Sequence, residues 1–301
     1  MAGLTRRYFL SGLPLVVGAS FLGLSKAAAQ KTQPRIVALE WRYADHARSL
    51  GIMPAGIADL EEYKKQASLE AAGAALAATI DMGRRQEPSL EAIIQAKPDI
   101  ILGVHFRHDR IKERLSQIAE TVLYKYTNTG TEDTDQLKLM LDELDDMGSR
   151  LNRLKEAQAA QVDFAQFLSR QKQALTAKQK QRPFVFAQFP SGVNSIRLFT
   201  GQSLPVRILE EMGLRNGWNG PSEGFGFSTV GPEKLLTVGD VTFIGVAIGT
   251  DNSYTRLSHN PLWQSFPFVP SGNLHIFDHI VWPFGGIPAA QAFGKHITEA
   301  L

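Results

Sequence analysis

Arginines and aromatic side chains recur together where short apolar runs end. Trp41 and Tyr43 follow the run 35–39, Arg84 and Arg85 follow 79–83, and His105, Phe106, Arg107 and His108 follow 100–104. Arginine offers ligand oxygens a rigid fork of donors, and aromatic faces bury a large organic surface. Each cluster has a plainer reading, since Trp41 can pack in a core and adjacent arginines are usually solvated. Several clusters of this kind on successive strand ends point to a bound organic ligand rich in oxygen.

The histidines raise the question of a metal. His105 and His108 have a spacing that meets on a helix, but they follow a strand, and no further ligands stand at useful spacing. His275 and His279 would share a strand face, with Phe277 between them. No metal held by the protein is expected. The chain has no cysteine, which excludes disulfides, thiolate metal sites, cysteine catalysis and a lipid-anchored cysteine. No serine, aspartate or histidine falls in a nucleophile elbow or a zinc-helix motif, so no catalytic residue is assigned and no enzyme is expected. An exported enzyme with a sequence-distant triad is the alternative from another class. The Gly-rich, aromatic segment 217–227 lacks the phosphate-loop lysine and the dinucleotide glycine spacing. Its glycines let the backbone turn while its aromatics face a ligand.

The elements that must position these residues begin after an export signal. Thr5-Arg6-Arg7-Tyr8-Phe9-Leu10, a weak apolar core over 13–24 and Ala27-Ala28-Ala29 read as a twin-arginine signal peptide cleaved near Ala29. That core is too short to span a bilayer. The whole chain has 32 Lys and Arg against 30 Asp and Glu, a formal +2. Removing residues 1–29, which hold three bases and no acid, leaves −1. A nearly neutral protein argues against a nucleic-acid surface. The expected compartment is the periplasm.

About 270 remaining residues suffice for two cores. Strands are expected at 35–39, 52–58, 79–83, 100–104 and 121–123, with helices at 45–50, 87–96 and 110–119. This βαβ series implies a mostly parallel sheet whose ligands sit outside the carboxyl ends of its strands. Segment 152–180 has no Gly or Pro and is rich in helix formers. It is expected to form one connecting helix of roughly 40 Å. Val162, Phe167 and Leu168, with Ala159 and Ala165, would be its apolar stripe. A second α/β series follows, with strands at 184–189, 195–199, 241–247 and 274–277. The fold class is therefore α/β, two similar lobes joined by one long helix. The expected boundaries are 1–29 signal, 30–150 first lobe, 151–180 connecting helix and 181–301 second lobe. An internal echo supports the two lobes: residues 89–94, Asp99 and strand 100–104 match 231–236, Asp240 and strand 241–247.

Arg35-Ile-Val-Ala-Leu-Glu-Trp41, the block from Asp81 through Arg85 to Glu91, Lys97-Pro-Asp99 and the segment from Asn260-Pro-Leu-Trp263 to Val269 resemble one family in order. It is that of the periplasmic iron-siderophore and cobalamin binding proteins of ABC importers, the ferric-hydroxamate binders within it. The resemblance covers the whole mature chain. It implies two α/β lobes bridged by a long helix, with little opening and closing, no intrinsic cofactor and a ferric siderophore as transported ligand. By position, Arg85 resembles the family arginine that bonds hydroxamate oxygens, and Trp282 a pocket tryptophan. His108 stands where hydroxamate binders have a tyrosine, Phe284 where they have another, and Phe225 where they have a tryptophan. Docking on an inner-membrane ABC permease uses an acidic residue on each lobe, for which Glu113 and Glu233 are the candidates. The expected ligand-binding set is Trp41, Tyr43, Arg85, Phe106, His108, Phe225, Trp282 and Phe284, in a monomer.

One arginine with aromatic walls suits a roughly neutral trihydroxamate complex better than an anionic triscatecholate. Arg84 and Arg107 leave the anionic ligand open. A haem or cobalamin carrier is the alternative within the family, with His105, His108 or His279 as axial ligand.

Overall fold

The first strand, β1 (Ile36–Ala38), is fully buried and pairs in parallel with a neighbour on each side. Its unbroken apolar run suits a strand covered on both faces. In this computed structural model, residues 33–66, 76–127, 135–278 and 282–301 are described, and Pro34–Leu301 forms one compact unit. The expected export signal lies outside the described residues.

Helix α1 (Trp41–Ser49) follows β1 after two residues, Leu39 and Glu40. Glu40 caps it, with an extended backbone and a carboxylate that accepts the Trp41 N–H at 3.2 Å. A helix was expected only from residue 45, with Trp41 and Tyr43 on a loop. A glutamate in place of the commoner Ser, Thr, Asp or Asn cap hid the earlier start. The chain continues through β2 (Gly56–Ile57), α2 (Leu60–Gln66) and β3 (Ile80–Asp81). A small hairpin of β4 (Gly83–Arg84) and β5 (Glu87–Pro88) follows, then α3 (Leu90–Ala96), whose N-cap Ser89 accepts the Ala92 N–H. Then come β6 (Ile100–Val104), the single turn α4 (His105–His108), α5 (Lys112–Ser116) and β7 (Glu120–Tyr124). The sheet order is β3-β2-β1-β6-β7, parallel throughout.

Two long helices lead out of this lobe, α6 (Gln136–Arg150) and α7 (Leu154–Ala174). They pack on one another, and Gly148 permits a close approach, since a Cβ there would lie 2.9 Å from that of Ala157. The single helix expected over 152–180 is in fact α7 and a short α8 (Ala177–Gln181). Thr176 and Gln179 form a reciprocal capping box that starts α8 afresh. Of the expected stripe, Phe167 and Leu168 are buried, while Val162, Ala159 and Ala165 face solvent. The buried face runs instead through Ala157, Phe164 and Leu168, spaced by whole turns.

The second lobe contains β8 (Pro183–Gln188), β9 (Ile196–Phe199), α9 (Leu204–Glu211), β10 (Arg215–Asn216), β11 (Phe227–Val230), β12 (Thr242–Val246), α10 (Ser253–Ser258), β13 (Leu274–Phe277) and α11 (Ile287–Ala300). Its sheet runs β11-β9-β8-β12-β13, with β10 beside β8. Strand β9 is antiparallel to both its neighbours, β8 and β11, and the other pairs are parallel. The echo is topological. In both lobes a parallel trio, β1-β6-β7 and β8-β12-β13, has the echoed strand in the middle. The echoed helix is α3 in the first lobe but a 3-10 segment, Pro232–Thr237, in the second.

One hydrophobic core holds residues of β1 and β6 together with Phe184 and Phe186 of β8, and with α6, α7, α9 and α11. Two smaller cores cover the other faces of the sheets. Helix α11 packs on α1, α7 and α9, so the chain's end returns to the first lobe. Among the described residues, no helix is long and apolar enough to cross a membrane.

Candidate functional site

The end of β1 places a carboxylate at the N-terminus of α1, where the helix dipole favours negative charge. Glu40 is 1% exposed. Its Oε1 accepts from Arg85 at 2.8 Å, and its Oε2 accepts from Arg107. Arg85 also donates from Nε to Asp59 at 3.0 Å and lies over the Trp41 ring, 3.7 Å from its centroid. Burial works against the Arg85 charge, but Glu40 and Asp59 outweigh it and hold its pKa above the usual value.

His108 supports this arrangement from below. Its Nδ1 accepts the Val104 N–H at 3.0 Å, which leaves the proton on Nε2 to donate to the Arg85 carbonyl at 2.9 Å. Burial lowers its pKa and keeps it neutral. Gly103 makes room for the ring, since a Cβ there would lie 2.7 Å from Nδ1.

Above these arginines lies a cleft of about 310 Å³, within the size range of small-molecule sites. Phe106, Arg107 and Tyr126 line it from the first lobe, and Gln188, Arg197, Phe199, Phe225 and Phe227 from the second. Phe106 and Phe225, 46% and 38% exposed, meet edge to face at 5.6 Å across it. Arg197 bonds Gln188 at 3.1 Å and lies over Phe227. Trp282 and Phe284, just before α11, complete the wall. The Phe284 carbonyl accepts from the Tyr126 hydroxyl at 2.8 Å and from Arg42 Nε at 3.4 Å. The Gly286 N–H donates to Asp45 of α1 at 2.9 Å. This second-lobe wall is therefore bonded to the first lobe. A larger hollow of about 810 Å³ lies beside the cleft, lined by Glu87, Glu91, Asp109, Arg110 and Arg114 among others. Of Phe, Tyr and Trp side chains it has Phe106 alone, against seven in the cleft, so the cleft is the candidate site.

Phe106, Phe225, Trp282 and Phe284 line the cleft together, while Arg85 lies behind the lining, bonded to Glu40 and 5.6 Å from the Trp282 ring centroid. Three expectations need correction. Trp41 lies one layer down, its indole donating to the Ala58 carbonyl and its ring edge-on to Trp282. Tyr43 is wholly buried against Tyr124, because the early helix start turns it into the core. His108 is wholly buried, with both ring nitrogens bonded to backbone. His105 pairs with Asp109, and His279 lies outside the described residues. Among the described residues, no group of three His, Cys, Asp or Glu could hold a metal. Sequence reasoning missed Glu40, Tyr126, Gln188, Arg197 and Phe199. The one signal for Glu40 and Gln188 was a polar residue ending a buried strand.

Against known families, residues 36–279 match the model described as periplasmic binding protein. The chain belongs to the periplasmic binding protein family. Among relatives, it is 27% identical over 305 residues to the iron(3+)-hydroxamate-binding protein FhuD of Escherichia coli K12, covering 97% of this chain and 99% of that protein. It is also 27% identical over 297 residues to the Fe(3+) dicitrate-binding periplasmic protein FecB of the same organism, covering 95% and 92%. The fold matches that of a siderophore binding protein FhuD from Vibrio cholerae with bound Fe3+–Desferal, with TM-score 0.75 and 23% identity over 90% of this chain and 98% of that one. A periplasmic binding protein of this kind binds and carries a substrate and is not an enzyme.

Proposed function

We propose that this chain is the substrate-binding component of an ABC importer and that it captures a ferric hydroxamate siderophore between its lobes. One observation carries the reading: aromatic side chains from both lobes wall a cleft lined by Arg107 and its partner Glu40, with Arg85 paired to the same carboxylate behind them. Such walls bury a bulky organic complex, and the remaining guanidinium N–H groups bond its oxygens. The siderophore holds the iron, so the protein supplies no metal ligand. The hydroxamate binder among the relatives agrees with this choice. The family supports a periplasmic chain, and the reading includes cleavage of the twin-arginine segment and a monomer with lobes at 30–150 and 181–301.

Arg107 and Arg197 in the lining favour a second reading, an anionic ferric complex such as the citrate complex named for FecB. The haem reading loses His108, whose nitrogens are both engaged. Handover to the inner-membrane permease would use an exposed glutamate on each lobe. Glu233 remains the candidate on the second lobe. On the first, Glu113 is exposed on α5, but the echo pairs Glu233 with Glu91. Each of that pair is followed three residues later by an exposed large apolar side chain, Ile94 and Leu236.

A tryptophan-fluorescence titration of the mature protein tests the function, with Trp282 in the cleft wall as reporter. Ferrichrome and a linear ferric hydroxamate should quench saturably, and Arg85→Ala should weaken them by about tenfold or more, the size of one lost charge-assisted bond. Tighter binding of ferric citrate or haem would replace the hydroxamate. Binding of no ferric complex would sink the reading.

A further inference from the structure

Glu40 is the buried carboxylate of the cleft, and it holds two arginines at once. Asp59 takes Arg85 as well. Arg197 on the facing side has no carboxylate partner among the described residues and bonds the neutral amide of Gln188. Three guanidinium groups thus face two carboxylates, and one positive charge is left uncompensated.

The fold itself does not demand a carboxylate at this place. Ala38 pairs with Leu102 in the first sheet, and Phe186 pairs with Ile244 in the second. Aligned on their common Gly-Val ends, Leu102-Gly103-Val104 and Ile244-Gly245-Val246 make Ala38 equivalent to Phe186. Two residues on, Glu40 is equivalent to Gln188. Gln188 ends β8 and Glu40 follows β1 by two residues, both line the cleft, and both accept from arginine. One lobe uses an amide where the other uses a charge. Capping of α1 likewise needs only an acceptor oxygen, which an amide supplies.

We infer that Glu40 sets the charge of the ligand this cleft accepts. Its carboxylate offsets one of the two charges of Arg85 and Arg107, as Asp59 offsets the other, and it holds both guanidinium ends in place. A near-neutral ferric complex bonds the donors that remain free. A polyanionic complex must compete with Glu40 for the same N–H groups and meets its negative charge at short range, in a site that water screens poorly. Glu40 is thus a specificity determinant, and the inference rests on the ferric-complex reading above.

The test uses the full mature protein and two probes, ferrichrome as the near-neutral complex and a ferric triscatecholate as the polyanion. Wild type should prefer ferrichrome. Glu40→Gln, which keeps the cap and copies Gln188, should move the affinity ratio toward the catecholate by about tenfold or more. Asp59→Asn should move it the same way by less, and it carries the test if circular dichroism shows Glu40→Gln unfolded. The variant's catecholate binding should also weaken more steeply with salt than that of wild type, which a purely structural role would not produce. An unchanged ratio in a folded variant overturns the role of Glu40 and leaves the ferric-complex reading standing. Binding of neither probe by wild type sinks both.

Discussion

His46 sits on α1 without exposure, and neither ring nitrogen has a hydrogen-bond partner among the described residues. Burial first, and then the Arg42 charge, lower its pKa from 6.5 to about 3. The folded state keeps it neutral, while the unfolded chain takes up a proton near pH 6.5. Its contribution to stability is therefore intact above about pH 6.5 and is lost as pH falls toward 3, at about 1.4 kcal/mol per pH unit. Asp45 and Glu143, whose pKa values burial raises, act in the opposite sense on acidification. The comparison with a variant cancels them. His46→Leu should lose about 2 kcal/mol less than wild type between pH 7 and 5 in urea titrations. Equal losses would mean that His46 is protonated in the folded protein. Which side chains point into the cleft was partly legible in the sequence. Arginines and aromatics after strands marked Phe106 and Arg107, and the family resemblance marked Trp282, Phe284 and Phe225. Tyr43 and His108 were misplaced because each sits on a helical turn that starts within three residues of a strand's end, where a shift of a few positions reverses a side chain's direction.

Among the elements, the strands with continuous apolar runs were the most legible: β6 and β13 fall where expected. Short β2 and β3 were less so, since two paired residues carry little periodicity. The connecting helix was recognisable by composition, but its buried face was not, because alanines surround the stripe on all sides. Packing, not propensity, selects Phe164 over Val162. Phe164→Ala should destabilise the protein by about 3–5 kcal/mol, and Val162→Ala by less than about 0.5 kcal/mol, as read from urea midpoints at constant slope. Similar losses for both would place α7 in a different rotation.

In the molecule as a whole, docking is the property that requires both lobes at once. The topological match of β6 with β12 makes Glu91 and Glu233 a related pair, while Glu113 has no counterpart. The double variant Glu91→Ala/Glu233→Ala should retain ligand affinity and lose uptake in cells that depend on this protein for iron. Glu113→Ala should keep both. Normal uptake by the double variant would remove the pair from the interface. Sequence alone offered the two-lobe plan, through the echo and the central helix. It did not show that one core runs through both lobes, because that depends on α11 folding back onto α1.

That return has a consequence for how the protein can be taken apart. Phe284 and Gly286 lie near the end of the chain, yet they hydrogen-bond to Tyr126, Arg42 and Asp45. Severed after residue 180, neither half would own a complete cleft. The leading piece would lack its aromatic wall and bare the flank of α1, while the trailing piece would carry a helix with nowhere to rest. The lobes are distinct in architecture but not in autonomy, and the chain must be finished before either lobe is.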